Sequence, residues 1–203
     1  MRIAVYGGTF NPIHNAHLHL MRSFAGLMQF DRMLLIPSHT PPHKSGESLA
    51  SAEDRLAMCR LAAAGEAFPV EVSSMEIVRG GASYTADTVE ALHFRYPEDR
   101  IFLLMGEDMF LTLAKWYDPE RIFRYAEICA APRSKEGLQK LIAYKDTLAP
   151  MGARCILKDI SYLPVSSTMV RDAVRAQESI RHLVPDPVAN YIYAHRLYGA
   201  REA

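Results

Sequence analysis

Short runs of apolar residues recur along the chain, separated by longer segments in which apolar positions return every three or four residues. The runs cover residues 3–6, 33–37, 70–75, 101–105, 127–130 and 155–157. Several are almost uninterrupted, the pattern of strands covered on both faces. Between them, Leu18, Met21, Phe24 or Ala25 and Met28 mark one helical stripe. Leu56, Cys59 or Arg60 and Ala63 mark a weaker one behind the acidic start Glu53 and Asp54, and Thr88, Leu92 and Arg95 lead to a stop at Pro97. This alternation predicts an α/β fold: a Rossmann-like, doubly wound parallel sheet with helices on both sides.

Past Val165 the alternation ends. Two helical stretches, 168–177 and 187–198, follow with no strand after them, and they predict a C-terminal helical cap on the sheet's edge or its ligand-facing end. No repeat or linker divides the chain, so residues 1–203 read as a single domain whose helical part begins at about 166. The longest loop-like stretch, 37–51, carries Pro41, Pro42, Gly46 and four serines. Loops of that length in a compact domain are usually functional or mobile.

Composition narrows the partners. A 49% hydrophobic content supplies an ordinary core, and 23 Lys+Arg balance 23 Asp+Glu. That balance argues against coating nucleic acid or an anionic membrane, while leaving room for a local basic cleft. No apolar run approaches the ~18–20 residues of a membrane helix, and the stretch before Gly7 and Gly8 is too short for a signal peptide's apolar region. Cys59, Cys129 and Cys155 are odd in number and far apart, which argues against a disulfide framework or a Cys-rich zinc site and for a reducing cytosol. The expectation is a cytoplasmic protein with neither nucleic acid nor membrane as partner. Its oligomeric state stays open, a homo-oligomer included.

Candidate chemistry begins at the first strand's end, in GGTFNPIHNAHL (residues 7–18). Glycines at a strand's carboxyl end let a phosphate approach the backbone, and the N–H groups of the next helix point at the anion. Gly8, Thr9 and Phe10 line this turn, with Asn15 as the expected helix cap. The spacing is not GxGxxG, so the fingerprint of a hydride-transfer cofactor is missing. Instead His14 and His17 share a face at the helix's positive end, where imidazoles can donate to phosphate. Taken alone, this also describes two surface or half-buried histidines. Five of the eight histidines nevertheless fall within the first 43 residues. A zinc pair would want i, i+4 spacing and a third ligand, so no metal-binding residue is assigned.

Three other segments fit an anionic ligand. Lys44, behind the di-proline of PPHK, is either a solvated loop lysine or a flexible point charge for phosphates. Ser166, Ser167 and Thr168 are strong capping chemistry with the usual capping-box acid missing, which leaves hydroxyls and N–H groups to meet a phosphate, with Arg171 in the same turn. The plain alternative is a capped helix with a surface arginine. Gly106 and Asp108 end an apolar strand, where an acid can take ribose hydroxyls. Trp116, the sole tryptophan, is either packing or a stacking platform, and Tyr84 and Thr85 read first as a helix start.

Taken in order, GGTFNPIHNAHL, PPHK, SYTADTVEAL, the GED strand end, KWYDPE, and SSTMVR with PDPVANYIYAHRLY resemble bacterial nicotinate-nucleotide adenylyltransferases of the nucleotidyltransferase superfamily, from residue 1 to about 198. Asn11 and Ala16 depart from the Asp and Gly more usual there, and Ala-Pro-Arg-Ser at 131–134 departs from the usual Arg-Pro-Gly. The resemblance implies adenylyl transfer from ATP to nicotinate mononucleotide with Mg²⁺, giving nicotinate adenine dinucleotide and pyrophosphate in NAD biosynthesis. It implies catalytic roles for His14, His17, Lys44 and Arg171. ATP would bind through Gly8, Thr9, Phe10, Gly106, Asp108, Ser166, Ser167 and Thr168, and the mononucleotide through Tyr84, Thr85, Trp116 and Arg133. No dense carboxylate cluster marks the metal, which would arrive on the ATP phosphates. Alternatives are the same chemistry on nicotinamide mononucleotide or phosphopantetheine, or a nucleotide-binding regulator without turnover. Retention of His17 and Arg171 speaks against the regulator.

Overall fold

The computed structural model describes residues 1–40, 49–134 and 136–200. In chain order the elements are β1 (Arg2–Gly8), α1 (Asn15–Met28), β2 (Arg32–Pro37), α2 (Ala52–Ala63), β3 (Val70–Val72), α3 (Met75–Arg79), α4 (Thr85–Arg95), β4 (Arg100–Gly106), α5 (Glu107–Phe110), α6 (Pro119–Tyr125), β5 (Ala126–Ala131), α7 (Gly137–Leu148), β6 (Cys155–Leu157), α8 (Ser167–Arg175) and α9 (Asp186–Ala194). The strands form one six-stranded parallel sheet in the order β3-β2-β1-β4-β5-β6. The order reverses between β1 and β4. In open α/β sheets this reversal opens a crevice beyond the carboxyl ends of the strands, where ligands bind. Among the described residues no helix is long and apolar enough to cross a membrane.

Strand alternation divides the core in two. Ala4, Tyr6, Met33, Leu35, Phe102, Leu104 and Cys129 face α1, α2, α8 and α9. Ile3, Val5, Leu34, Ile36, Ile101, Leu103 and Ile128 face α4, α6 and α7. Both faces being covered explains why these strands read as continuous apolar runs. The third run, expected to reach residue 75, stops as β3 at Val72, and Met75 opens α3. The chain bends there to bury Glu76, whose carboxylate accepts the Thr88 hydroxyl at 2.6 Å.

The C-terminal helices do not sit on the sheet's edge. Val170, Val174, Val188 and Ile192 share a core with Leu18, Met21 and Met58, so α8 and α9 pack over α1 and α2. Both are shorter than the apolar pattern suggests. After α9 the backbone turns through positive φ at Arg196 and Tyr198, and the Tyr198 hydroxyl donates to Asn11 Oδ1 at 2.8 Å.

One side chain ties the sheet's exit loops together. Arg55 on α2 is 1% exposed. Its guanidinium donates to the carbonyls of Ala50 (3.2 Å), Thr9 (2.9 Å), Ser38 (2.6 Å) and His39 (2.8 Å). A planar fork with five N–H groups can serve acceptors on three chain segments at once, which an ammonium cannot. Arg55→Met is expected to lower the unfolding free energy by about 3–5 kcal/mol, because several buried carbonyls lose their donor together. Arg55→Lys should recover less than about half of that loss. Urea unfolding at pH 7.5 measures both, and a loss under about 1 kcal/mol would mean that water takes over the guanidinium's role.

Candidate active site

The turn after β1 is built around an aromatic wedge. Phe10, at φ 47° and 3% exposed, sets its ring edge-on to Tyr6 (centroids 5.5 Å apart) and to His17 (5.0 Å). A Cβ on Gly8 would stand 2.9 Å from that ring, so the glycine is required by Phe10 rather than by phosphate approach alone. Beyond the wedge the chain runs through a cis Asn11–Pro12 bond into α1.

His14, and not the expected Asn15, caps α1. The His17 N–H donates to His14 Nδ1 (3.4 Å) and the His14 N–H donates to His17 Nδ1 (3.2 Å). This is a capping box made from two imidazoles in place of a hydroxyl and a carboxylate. The rings stack with centroids 3.6 Å apart at 20°. With both Nδ1 atoms accepting, a proton on either ring sits on Nε2. His14 is 5% exposed, and burial, reinforced by the positive charge of Arg133, pushes its pKa down to about 4. Asn15 instead joins the C-terminal part, its amide donating to the His182 carbonyl at 3.2 Å and its N–H to Leu183 at 2.9 Å.

The first turn of α8 lies against this segment. Ser167 Oγ donates to the Pro12 carbonyl (2.9 Å), and Arg171 donates to the Asn11 carbonyl (2.8 Å) and to Thr168 Oγ1 (3.2 Å). Ser166 Oγ accepts the Met169 N–H at 3.2 Å. The Ser167 hydroxyl therefore spends its proton on the protein, while Ser166 and Thr168 serve here as acceptors through their hydroxyl oxygens. The helix also offers an anion its first-turn backbone N–H groups and Arg171. Asn11 Oδ1 accepts the Ala50 N–H (3.0 Å) as well as the Tyr198 hydroxyl, so Asn at this position holds two chain segments in place.

At the end of β4, Gly106 leads into α5. The Asp108 carboxylate pairs with Arg133, which follows the neighbouring strand β5, and Arg133 also donates to the Tyr162 hydroxyl at 3.1 Å. The buried Glu107 accepts the Arg133 backbone N–H at 2.6 Å. Arg133 thus stands with Asp108, on the His14 side of the crevice. Tyr84 caps α4 without a side-chain bond, so Thr85 opens a helix whose first N–H groups are not taken by a capping side chain. The Tyr84 ring packs on Tyr117, with centroids 4.4 Å apart. Trp116 is half-buried, its indole N–H donating to Thr112 Oγ1 at 3.2 Å. Lys44 lies outside the described residues. Among the described residues, no group of three or more His, Cys, Asp or Glu side chains is arranged to hold a metal ion.

Sequence reasoning missed Arg55, Tyr117, Arg121 and Tyr198. For Arg55 a signal existed, since Met58, Cys59 and Ala62 share its helical face and are buried. The other three carry none, because the Tyr84, Asp87, Glu90 and Asn11 partners that give them their places lie on other segments of the chain.

The cytidylyltransferase-like family model matches residues 5–173. A protein of Citrifermentans bemidjiense named "Probable nicotinate-nucleotide adenylyltransferase" is 39% identical, covering 98% of both chains. A Corynebacterium kroppenstedtii protein of the same name is 36% identical, covering 97% of this chain and 90% of its own. Among solved structures, Plasmodium falciparum nicotinic acid mononucleotide adenylyltransferase complexed with NaAD superposes with a TM-score of 0.78 at 16% identity, covering 98% of both chains, and shares the fold.

The buried imidazole gives stability a pH dependence. Unfolded, His14 protonates near its ordinary 6.5, whereas the folded chain holds it neutral down to about 4. Above pH ~6.5 neither state carries the charge. As pH falls from there to about 4, the unfolded chain takes up a proton that the folded one refuses, and stability drops by on the order of 3 kcal/mol. Urea unfolding between pH 7.5 and 4.5 should therefore fall more steeply for the natural chain than for His14→Asn, which keeps a capping acceptor. Parallel slopes would show that His14 titrates normally in the folded chain.

Proposed function

The chain belongs to the cytidylyltransferase-like family and to the nicotinate-nucleotide adenylyltransferases within it, and from that premise we infer that it is an enzyme transferring adenylyl from ATP to nicotinate mononucleotide. The products are nicotinate adenine dinucleotide and pyrophosphate, in NAD biosynthesis. The observation that carries the reading is the mutually capped pair His14 and His17, held beside Arg171 at the point where strand order reverses. Two imidazoles and a guanidinium at the N-termini of α1 and α8 suit a polyphosphate.

In this reading a phosphate oxygen of the mononucleotide attacks the α-phosphorus of ATP in line, and the bond to the β-phosphate oxygen breaks as pyrophosphate leaves. Such a displacement needs positioning and charge neutralisation, with no covalent nucleophile. The Nε2–H groups of His14 and His17, Arg171 and Lys44 take the charge that grows on the departing pyrophosphate. Gly8, Thr9, Phe10 and Gly106 shape the ATP cleft, with the first-turn N–H groups of Ser167 and Thr168 behind Ser166. Asp108 takes the ribose hydroxyls by giving up part of its pairing with Arg133, and Arg133 turns to the mononucleotide's phosphate. Tyr84, the N–H groups that begin at Thr85, and Trp116 hold the pyridine ring and its carboxylate. Mg²⁺ enters as part of the substrate MgATP, held by the phosphates. The whole chain acts as one unit, since Arg171 and Tyr198 complete the turn that carries His14. A cytoplasmic setting suits its three free thiols.

His17→Ala is expected to lower turnover at least ~10²-fold, the range for loss of a transition-state donor. It should also cost about 1 kcal/mol of stability, because the same ring closes the capping box. A folded variant keeping more than about half the natural rate would remove His17 from the phosphate site.

The acid mononucleotide should be preferred over the amide by at least ~10²-fold in kcat/KM, because an amide loses the charge-assisted bonds and turns its NH₂ toward N–H donors. Parallel assays of both mononucleotides with MgATP measure this ratio. Equal rates would mean that the site reads the ring and ignores the carboxylate.

A further inference from the structure

The reading that α4's first turn receives the nicotinate carboxylate meets an obstacle in the sequence itself. Asp87 stands in that turn, two residues after Thr85, and a free carboxylate there would repel an acid substrate and accept hydrogen bonds from an amide. The structure gives Asp87 a partner from another helix. Arg121 on α6 donates from Nη2 to Asp87 Oδ1 at 2.7 Å and from Nη1 to Glu90 Oε2 at 3.0 Å. Its Nε lies 3.1 Å from Asp118 Oδ2. The guanidinium carbon stands 5.7 Å from the centroid of Tyr117, the ring that packs on Tyr84.

We propose that Arg121 is a specificity-determining residue, selecting the acid over the amide mononucleotide by occupying Asp87 and holding the Tyr84–Tyr117 aromatic pair beside it. The proposal rests on the function inferred above and adds the means by which the site tolerates its own carboxylate. Several features point the same way. The Arg121 side chain is 21% exposed and that of Asp87 37%, so the pair is screened less than an open surface pair. One planar fork answers three carboxylates from two helices, a task that suits arginine and not lysine. The contact also links α4, which carries Thr85, to the start of α6, which follows Trp116 and Tyr117 directly. Without the guanidinium, Asp87 and Glu90 would sit uncompensated one turn apart on α4 and Asp118 would face them, so the field at the helix start would turn against an anionic ring substituent.

The test is kcat/KM for nicotinate and nicotinamide mononucleotides with MgATP, in the natural chain, Arg121→Gln, Arg121→Lys, and Arg121→Gln combined with Asp87→Asn. Arg121→Gln is expected to cut the acid value at least about tenfold, a loss within the range of one charge-assisted interaction, while the amide value moves less than about threefold. Arg121→Lys, which keeps the charge without the fork, should fall between and guards against a glutamine variant that fails to fold. Adding Asp87→Asn to Arg121→Gln should return at least about threefold of the acid value, because the exposed carboxylate is then gone. Acid and amide values falling together, in either single variant, would make Arg121 a brace between α4 and α6 and overturn the proposal. So would an absence of rescue by Asp87→Asn. If the natural chain makes dinucleotide from neither mononucleotide, the functional reading itself fails. If it prefers the acid and every variant keeps that preference, only the proposal about Arg121 fails.

Discussion

A buried guanidinium with four carbonyl acceptors holds the carboxyl end of this sheet in shape. Arg55 reaches from α2 to the turn after β1, to the two residues after β2 and to the start of its own helix. The carbonyls it serves belong to loops that leave neighbouring parallel strands and would otherwise need water or another donor. Fixing the Thr9 carbonyl fixes the direction in which Phe10 enters the core. Phe10 in turn sets the plane of His17 and excludes any side chain at Gly8. The proposed chemistry thus depends on a residue that never meets a substrate.

Around that frame the charges are arranged unevenly. Burial and the nearby Arg133 keep His14 neutral, and capping bonds fix both imidazoles. The cationic side chains close to them, Arg171 and Arg133, are anchored on a backbone carbonyl and on a carboxylate. Neutral donors fixed by capping bonds need little reorganisation when negative charge develops, which is where preorganised electrostatics contributes most. On the mononucleotide side the same economy appears in Arg121, which gathers the carboxylates of Asp87, Glu90 and Asp118 beside the helix start they would otherwise spoil.

The C-terminal helices belong to the site as much as to the core. Arg171 and Ser167 reach carbonyls at Asn11 and Pro12, and Tyr198 reaches the Asn11 side chain. These contacts join residues 155 to 187 positions apart in sequence. Loss of α8 or of the turn at Tyr198 would release the cis-proline turn that delivers His14, so the stability of the cap and the geometry of the phosphate site are coupled.

The chain by itself determined the sheet and the motif positions. Strands buried on both faces are apolar at nearly every position, which is why the runs at 3–6, 33–37, 101–105 and 127–130 announced four parallel strands. A histidine pair directly after a Gly-Gly strand end could only lie at the start of the first helix. What the sequence could not decide were the partners of groups able to bond in several ways. His14 took the cap from Asn15 because an imidazole three residues ahead returned its bond, and the Ser167 hydroxyl turned inward because the Pro12 carbonyl stood within reach. Asp108 found Arg133 because β4 and β5 are neighbours, and Arg55 was drawn inside because two loops left carbonyls unpaired around one point. Local propensity specifies where a backbone turns. Which donor meets which acceptor is settled only when distant strands and helices bring them to within 3 Å or so of each other, since hydrogen bonds act over no longer range.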